Sequence, residues 1–391
     1  MFKFVNWSLF KTNKYLSTQL IGICCSSLII LCSCSSNSEP KPQPIPKINH
    51  AENISIIWDD NDLDSGIAGS FVPIIDNNAI FTADSSGNIF RVDQTDGTII
   101  NHYSYKRNFS SGTAVSSDSI FVTTADAYLL SIDRATGKIN WQAQLPTVSV
   151  EAPQVGANVV VVRTNDAEVL AYNVSDGSLL WVYQKQTPPL TVRVYNSFQV
   201  VGSDVILIGQ PGGRLALLNL NTGVAIWENY VAVPEGATDL DKLTDVSVRP
   251  VINAKEVCVA TFNGKIGCLD AISSNVIWSK KFSTSYGVLM DEQNTYSVGQ
   301  DGVIYAYDRN TGASVWINKD LQYRLLSVPV FLNNDVLIID NDGNIYLLNR
   351  NDGKLVAQKS SDLKDGVAYP WADGKKVIIQ SGNGNLAAIT Q

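Results

Sequence analysis

Six cysteines, two histidines and a scatter of aspartates are the side chains of this 391-residue chain best suited to chemistry. His50 and His102 lie far apart and fit neither a zinc-ligand spacing nor a Ser–His–Asp arrangement. The chain has no G-x-S-x-G, no H-E-x-x-H, no Walker loop and no paired C-x-x-C. Most Asp and Asn fall in hairpins, where they satisfy turn geometry. The neighbours Asp59 and Asp60 read as a solvated pair rather than an acid–base couple. The expectation is therefore a chain with no catalytic residue, no metal and no cofactor.

Four of the cysteines sit in the first 34 residues. Lys3, Lys11 and Lys14 precede the largely apolar run "LIGICCSSLIILCSC", with no acid among them. This order reads as an export signal, and the Cys and Ser within the run make a spanning helix marginal. "LCSC" places Leu31 three residues before Cys34 and Ser33 just before it, a pattern resembling a bacterial lipobox. Residues 1–33 are thus expected to be removed and Cys34 to become a lipidated first residue. Ser35 beside it, where Asp would hint at inner-membrane retention, favours the periplasmic face of the outer membrane. Stable anchoring takes more than one acyl chain, and a bacterial lipoprotein of this type would carry three, palmitate among them. Losing three lysines moves the formal charge from −8 to −11, which does not suggest nucleic-acid binding. Residues 34–53 then form a tether whose Pro40, Pro42, Pro44 and Pro46 favour an extended spacer.

The elements that must position any site are legible as a repeat. Eight short strands end at Asp93, Asp133, Asn173, Asn219, Asp270, Asp308, Asn349 and Thr390, in steps of 38 to 51 residues. Six residues before each end is Gly or Ala, at a turn. Four residues after most of them comes a second Gly, and eight after five of them a Trp, at 141, 181, 227, 278 and 316. Asn101 and Ala357 break that Trp pattern. A unit of about 40 residues with four short antiparallel strands is a propeller blade, and its Trp should pack on the next blade. The fold class is all-β, an eight-bladed β-propeller of four-stranded blades over residues 54–391. Seven blades are followed in sequence by their outermost strand. Residues 54–58, ending in Trp58, are expected to supply the eighth and close the ring without an open edge.

Cys258 and Cys268 lie in "VCVATFNGKIGCLD". A two-residue Asn263-Gly264 turn would pair Val259 with Cys268. That register favours two buried free thiols over a disulfide, although the export route permits a bond.

Function should lie where a uniform scaffold is interrupted. The two long steps contain "QKQTPPLTVRVYNSF" (184–198) and "VAVPEGATDLDKLTDVSVRP" (231–250). Both follow an outermost strand, in adjacent blades, so they should sit side by side on one rim. Leu190, Val192 and Arg193, with acidic residues around Leu240 and Leu243, have the composition of a protein interface. An ordinary loop whose aliphatic residues fold back onto the propeller fits equally.

The blade repeat resembles that of the pyrroloquinoline-quinone propellers, which include periplasmic alcohol dehydrogenases. Those enzymes would imply a calcium site, a Trp platform and adjacent cysteines, and the adjacent pair here is Cys24-Cys25, within the leader. Fold alone does not carry that function. Over the whole mature chain, the lipobox, tether, eight blades, "PPLTVR", "ATDLDKLTDVSVRP" and "LQYRLLSVPV" resemble the BamB family, the propeller lipoproteins of the outer-membrane β-barrel assembly machinery. The resemblance implies a non-enzymatic scaffold that binds the POTRA domains of BamA and, through it, the other Bam subunits. It implies a contact through Leu190, Val192, Arg193 and Asp245. The family's second loop Asp falls on Ser247 here. Nascent outer-membrane proteins are a second partner to consider.

Overall fold

In a computed structural model, residues 40–391 are described except 49–51, 62, 65–69, 193–196 and 368. The leader, the lipidation candidate Cys34 and the candidate contact Arg193 lie outside the described residues. The strands form eight four-stranded antiparallel sheets arranged as a ring of blades. Blades 1 to 7 each run through four consecutive strands, beginning at residues 74, 114, 154, 198, 251, 288 and 330. Second strands such as Ala79–Ala83 and Val159–Arg163 are buried throughout, because neighbouring blades cover both faces. Outermost strands such as Ile99–Ser104 alternate half-buried and exposed positions, because the wedge-shaped blades splay at the periphery.

Blade 8 joins three strands from residues 371–390 to Ser55–Asp60. The expected closing strand is therefore present and extends two residues further. Ser55 pairs with Thr390 and Asp60 with Leu386, with an irregularity between Ile56 and Trp58. Trp58 then crosses the seam. Its Nε1–H donates to the Gln94 carbonyl of blade 1 at 3.2 Å. Its side chain packs in a buried cluster with Ile80, Phe90 and Val92 of blade 1 and Ile378, Leu386 and Ala388 of blade 8. Deeper in, Gln380 of blade 8 donates to the Ala83 carbonyl at 3.0 Å.

The same device recurs around the ring. Trp141, Trp181, Trp227, Trp278 and Trp316 each donate an indole N–H to a carbonyl of the following blade, at 2.6–3.0 Å. The ring lies flat on the next blade's turn. A Cβ on Gly177 would come within 2.6 Å of Trp141, and that glycine also has φ +72°. Glycine is thus required there twice, by the ring and by the backbone. In blade 1, where Asn101 holds the Trp position, Tyr103 takes over. Its hydroxyl donates to the carbonyls of Arg134 and Ala135, and its ring covers Gly137.

The cysteine expectation is corrected. Cys258 and Cys268 face each other directly, 4.1 Å apart at Cα, and form a disulfide. The turn between their strands spends three residues, 262–264, not two. Thr261 and Lys265 close it, with Thr261 N–H to Lys265 O at 2.9 Å and Lys265 N–H to Thr261 Oγ1 at 2.7 Å. That extra length shifts the register by one and brings the sulfurs together. The carboxylate of Glu256 and the two sulfurs lie within 4.8 Å of one another. A disulfide offers no thiolate, so they do not make a metal site. Replacing both cysteines with Ala is expected to cost about 2–3 kcal/mol, from the small loop closed. Chemical denaturation with and without a reductant would measure it.

One acidic pair lies where the end of blade 8 meets blade 7. Gln391 donates to both Glu52 and Asp335, the latter at 2.8 Å. Burial, reinforced by the nearby Glu52 carboxylate, pushes Asp335 up to about 6. A folded-state value above the unfolded one means that the folded chain holds the extra proton. This contribution to stability is full below about pH 4 and lost as pH rises through 6. Asp335→Asn should flatten the melting profile between pH 4 and 6 relative to the parent; an unchanged slope would count against this assignment.

Candidate docking surface

The two insertions join outermost strands to the next blade's first strand, Leu179–Tyr183 to Phe198–Val201 and Ala225–Tyr230 to Val251–Ile252. They share a rim and touch, as expected. The link is Asp245. One carboxylate oxygen accepts the Val192 N–H of the first insertion at 2.6 Å, and the other accepts the Gly212 N–H at 2.8 Å. Its own carbonyl accepts the Phe262 N–H at 2.9 Å. Asp245 therefore fastens the first insertion, a turn of blade 4 and a turn of blade 5. It is only 1% exposed. Burial pushes its carboxyl up, and the two backbone N–H donors pull it back down.

The first insertion is held at both ends as well. Arg214 donates to the Gln186 carbonyl at 2.6 Å. At the far end, Glu151 accepts the Ser197 N–H at 2.7 Å and pairs with Arg163 at 2.6 Å, both side chains being buried. From Thr187 to Val192 the chain arches over a cavity of about 390 Å³, whose lining includes Arg163, Asp166, Pro188, Pro189 and Val192. Two prolines stiffen the arch and lower the cost of holding it in one shape.

Three large apolar side chains stand outward on this rim, among exposed charges such as Glu235, Asp239 and Lys242. Leu190 is 46% exposed, Leu240 68% and Val233 61%. Leu240 stands on a turn closed by Asp241, which accepts the Thr238 N–H at 3.0 Å while its own N–H donates to the Thr238 hydroxyl at 3.1 Å. Asn263 braces that turn from blade 5 by donating to the Asp241 carbonyl. Val192 is half-buried. Asp245 and Ser247 lie beneath this surface. Ser247 is 8% exposed, and its neighbours Val246 and Val248 are buried. A direct charge on the rim is thus not what Asp245 offers; it positions the arch. Val233 was missed because a valine among loop residues gives no signal of which way it points.

Of the residues weighed for catalysis, His102 is taken up in packing. His102 stacks on Phe90, with ring centroids 4.6 Å apart and planes within 2°. His50 lies outside the described residues. Asp59 and Asp60 sit in the closing strand, opposite Ala387 and Leu386.

Comparison with known proteins points one way. Residues 85–318 match a family profile described as outer membrane protein assembly factor BamB. A protein of that name from Bordetella pertussis is 31% identical over 326 residues, covering 83% of this chain and 84% of the relative. Its counterpart from Escherichia coli K12 is 29% identical over 360 residues, covering 89% and 91%. The crystal structure of BamB from Moraxella catarrhalis superposes with a TM-score of 0.77 at 21% identity, over 87% of this chain and all of that one. A quinohemoprotein alcohol dehydrogenase from Comamonas testosteroni shares the fold, with a TM-score of 0.70 at 13% identity, over 86% of this chain and 76% of that one.

Proposed function

Because the chain belongs to the BamB family of outer-membrane protein assembly factors, we propose that it is a non-enzymatic scaffold of the β-barrel assembly machinery. In this reading Cys34 is lipidated and holds the propeller on the periplasmic face of the outer membrane. The rim formed by the two insertions docks on the POTRA domains of BamA and, through BamA, joins the other Bam subunits. The supporting observation is that braced arch. Exposed Leu190 and Leu240 stand on a loop pair fastened by a buried carboxylate, so apolar area is presented in a fixed shape. Such preorganisation lowers the ordering cost of binding. Leu190 and Leu240 supply buried area, Val192 backs them, and Arg193 pairs with an acidic group on the partner. Asp245 acts through the arch, and Ser247 lies below it.

The test is affinity purification of the full chain from detergent-solubilised outer membranes. BamA is expected in the eluate. A quinone-dependent alcohol oxidation without BamA would favour the dehydrogenase reading instead. Capture of nascent barrel proteins by crosslinking would add the second partner class.

A further inference from the structure

The proline-rich segment lies against the propeller over residues 41–48. Gln43 is gripped on both sides of its backbone. Its N–H donates to the Gln322 carbonyl at 3.1 Å, and its carbonyl accepts from Arg324 Nη2 at 3.1 Å. Arg324 is itself held by the buried Asp340, 3.3 Å from Nη1. Ile45 packs on the buried cluster of blades 6 and 7 that includes Trp316, Leu321 and Leu348. Pro46, Lys47 and Ile48 line a groove of about 360 Å³ with Ile317 of blade 6 and Leu355 of blade 7. Further on, the Glu52 N–H donates to the Val356 carbonyl at 2.9 Å.

Composition suits this placement. Pro42, Pro44 and Pro46 have no N–H, so the segment can cross a surface without a hydrogen-bond ladder. A polyproline-type chain turns once in three residues, which puts Ile45 and Ile48 on one face. Those two are half-buried, while Pro46 and Lys47 between them, and Pro44 before them, are exposed. A chain already restricted by prolines loses less entropy on docking.

Direction follows from the connections. Gln322 and Arg324 belong to the link from Ser314–Asn318 to Val330–Leu332, the same kind of link as the two insertions. They therefore lie on the insertion-bearing rim. Val356 is near the start of Leu355–Ser360, toward the opposite rim. The segment thus descends between blades 6 and 7 before its chain enters blade 8.

We infer that residues 41–48 are a strap that fixes where the N-terminal anchor leaves the propeller, at the rim carrying the two insertions. With the anchor at Cys34, seven peptide steps remain before Lys41, a span of roughly 25 Å at most. The docking rim is then the one held toward the bilayer. A loose tether from Cys34 to Ser55 would reach roughly 75 Å and leave either rim free to face the lipid. This inference rests on the reading of Cys34 as the lipidated residue.

The experiment uses the full chain in phosphatidylethanolamine–phosphatidylglycerol vesicles containing nitroxide-labelled lipid. Asp342→Cys places a fluorophore on the insertion-bearing rim of blade 7, and Asn351→Cys places one on the opposite rim. Quenching at residue 342 should exceed that at residue 351 at least threefold. Arg324→Ala with Ile45→Asp should bring the ratio near one. Equal or reversed quenching in the parent chain overturns the strap. Flotation with the vesicles reports the anchor separately. If the chain does not float, the anchor reading fails, and Gln43→Cys with Gln322→Cys decides the strap. A crosslink between them supports it, and none under oxidising conditions overturns it.

Discussion

Trp58→Ala lowers the stability of the propeller by about 3–5 kcal/mol, the cost of emptying a large aromatic site in a core. The ring touches both sides of the seam, so its loss opens a void among Ile80, Phe90, Val92, Leu386 and Ala388. It also releases the Gln94 carbonyl from its indole donor. The damage extends beyond the void. Ser55–Asp60 covers the outer edge of Leu386–Thr390, and a weakened strand leaves that edge unpaired. Ile57→Ala, at an exposed position in the same strand, should change stability by no more than about 0.5 kcal/mol. Deleting residues 51–60 should be more damaging than either, although they adjoin a segment of linker composition. Denaturant titration of the three variants checks the ranking. A Trp58→Ala chain that melts with the parent would refute the closure.

The second large effect concerns binding. Leu190→Asp with Leu240→Asp should weaken the complex with the purified POTRA region on the order of 100-fold, because truncating one apolar anchor commonly costs over 1 kcal/mol and an introduced carboxylate more. Both side chains are exposed, so the melting temperature should not move. Asp245→Ala should behave differently. It strands the N–H groups of Val192 and Gly212, at about 1–3 kcal/mol, and lets the arch relax. Binding and stability fall together there. Titration calorimetry beside thermal melts separates the two classes. Equal effects from all three substitutions would remove the distinction between presenting and positioning residues.

The blades were legible because they repeat three chemical requirements at fixed places: a left-handed turn, an apolar second strand and, in six of the eight, a Trp laid on the next blade's turn. Even the closing strand could be found, since Trp58 carries the same mark as the other five. Tyr103 was not found, because it performs the role two residues from the expected position. The cysteine pairing turned on one residue of turn length, and glycine with asparagine is compatible with either length. Asp245 and Ser247 belong to the second insertion, as their positions in the sequence require. Their burial depends on N–H groups more than thirty residues away in sequence, in the case of Asp245, and no local pattern carries that. The tether read as a spacer for a similar reason: proline-rich composition is the same whether or not a groove waits some 270 residues downstream.

The most direct test of the docking surface is a photoreactive amino acid placed at residue 190 or 240 in living cells, with residue 139, exposed on the outermost strand of blade 2, as a control. Irradiation should yield a BamA adduct from 190 and 240 and none from 139. Adducts from 139 alone, or none from 190 and 240 in a folded chain, would contradict docking through the insertion-bearing rim.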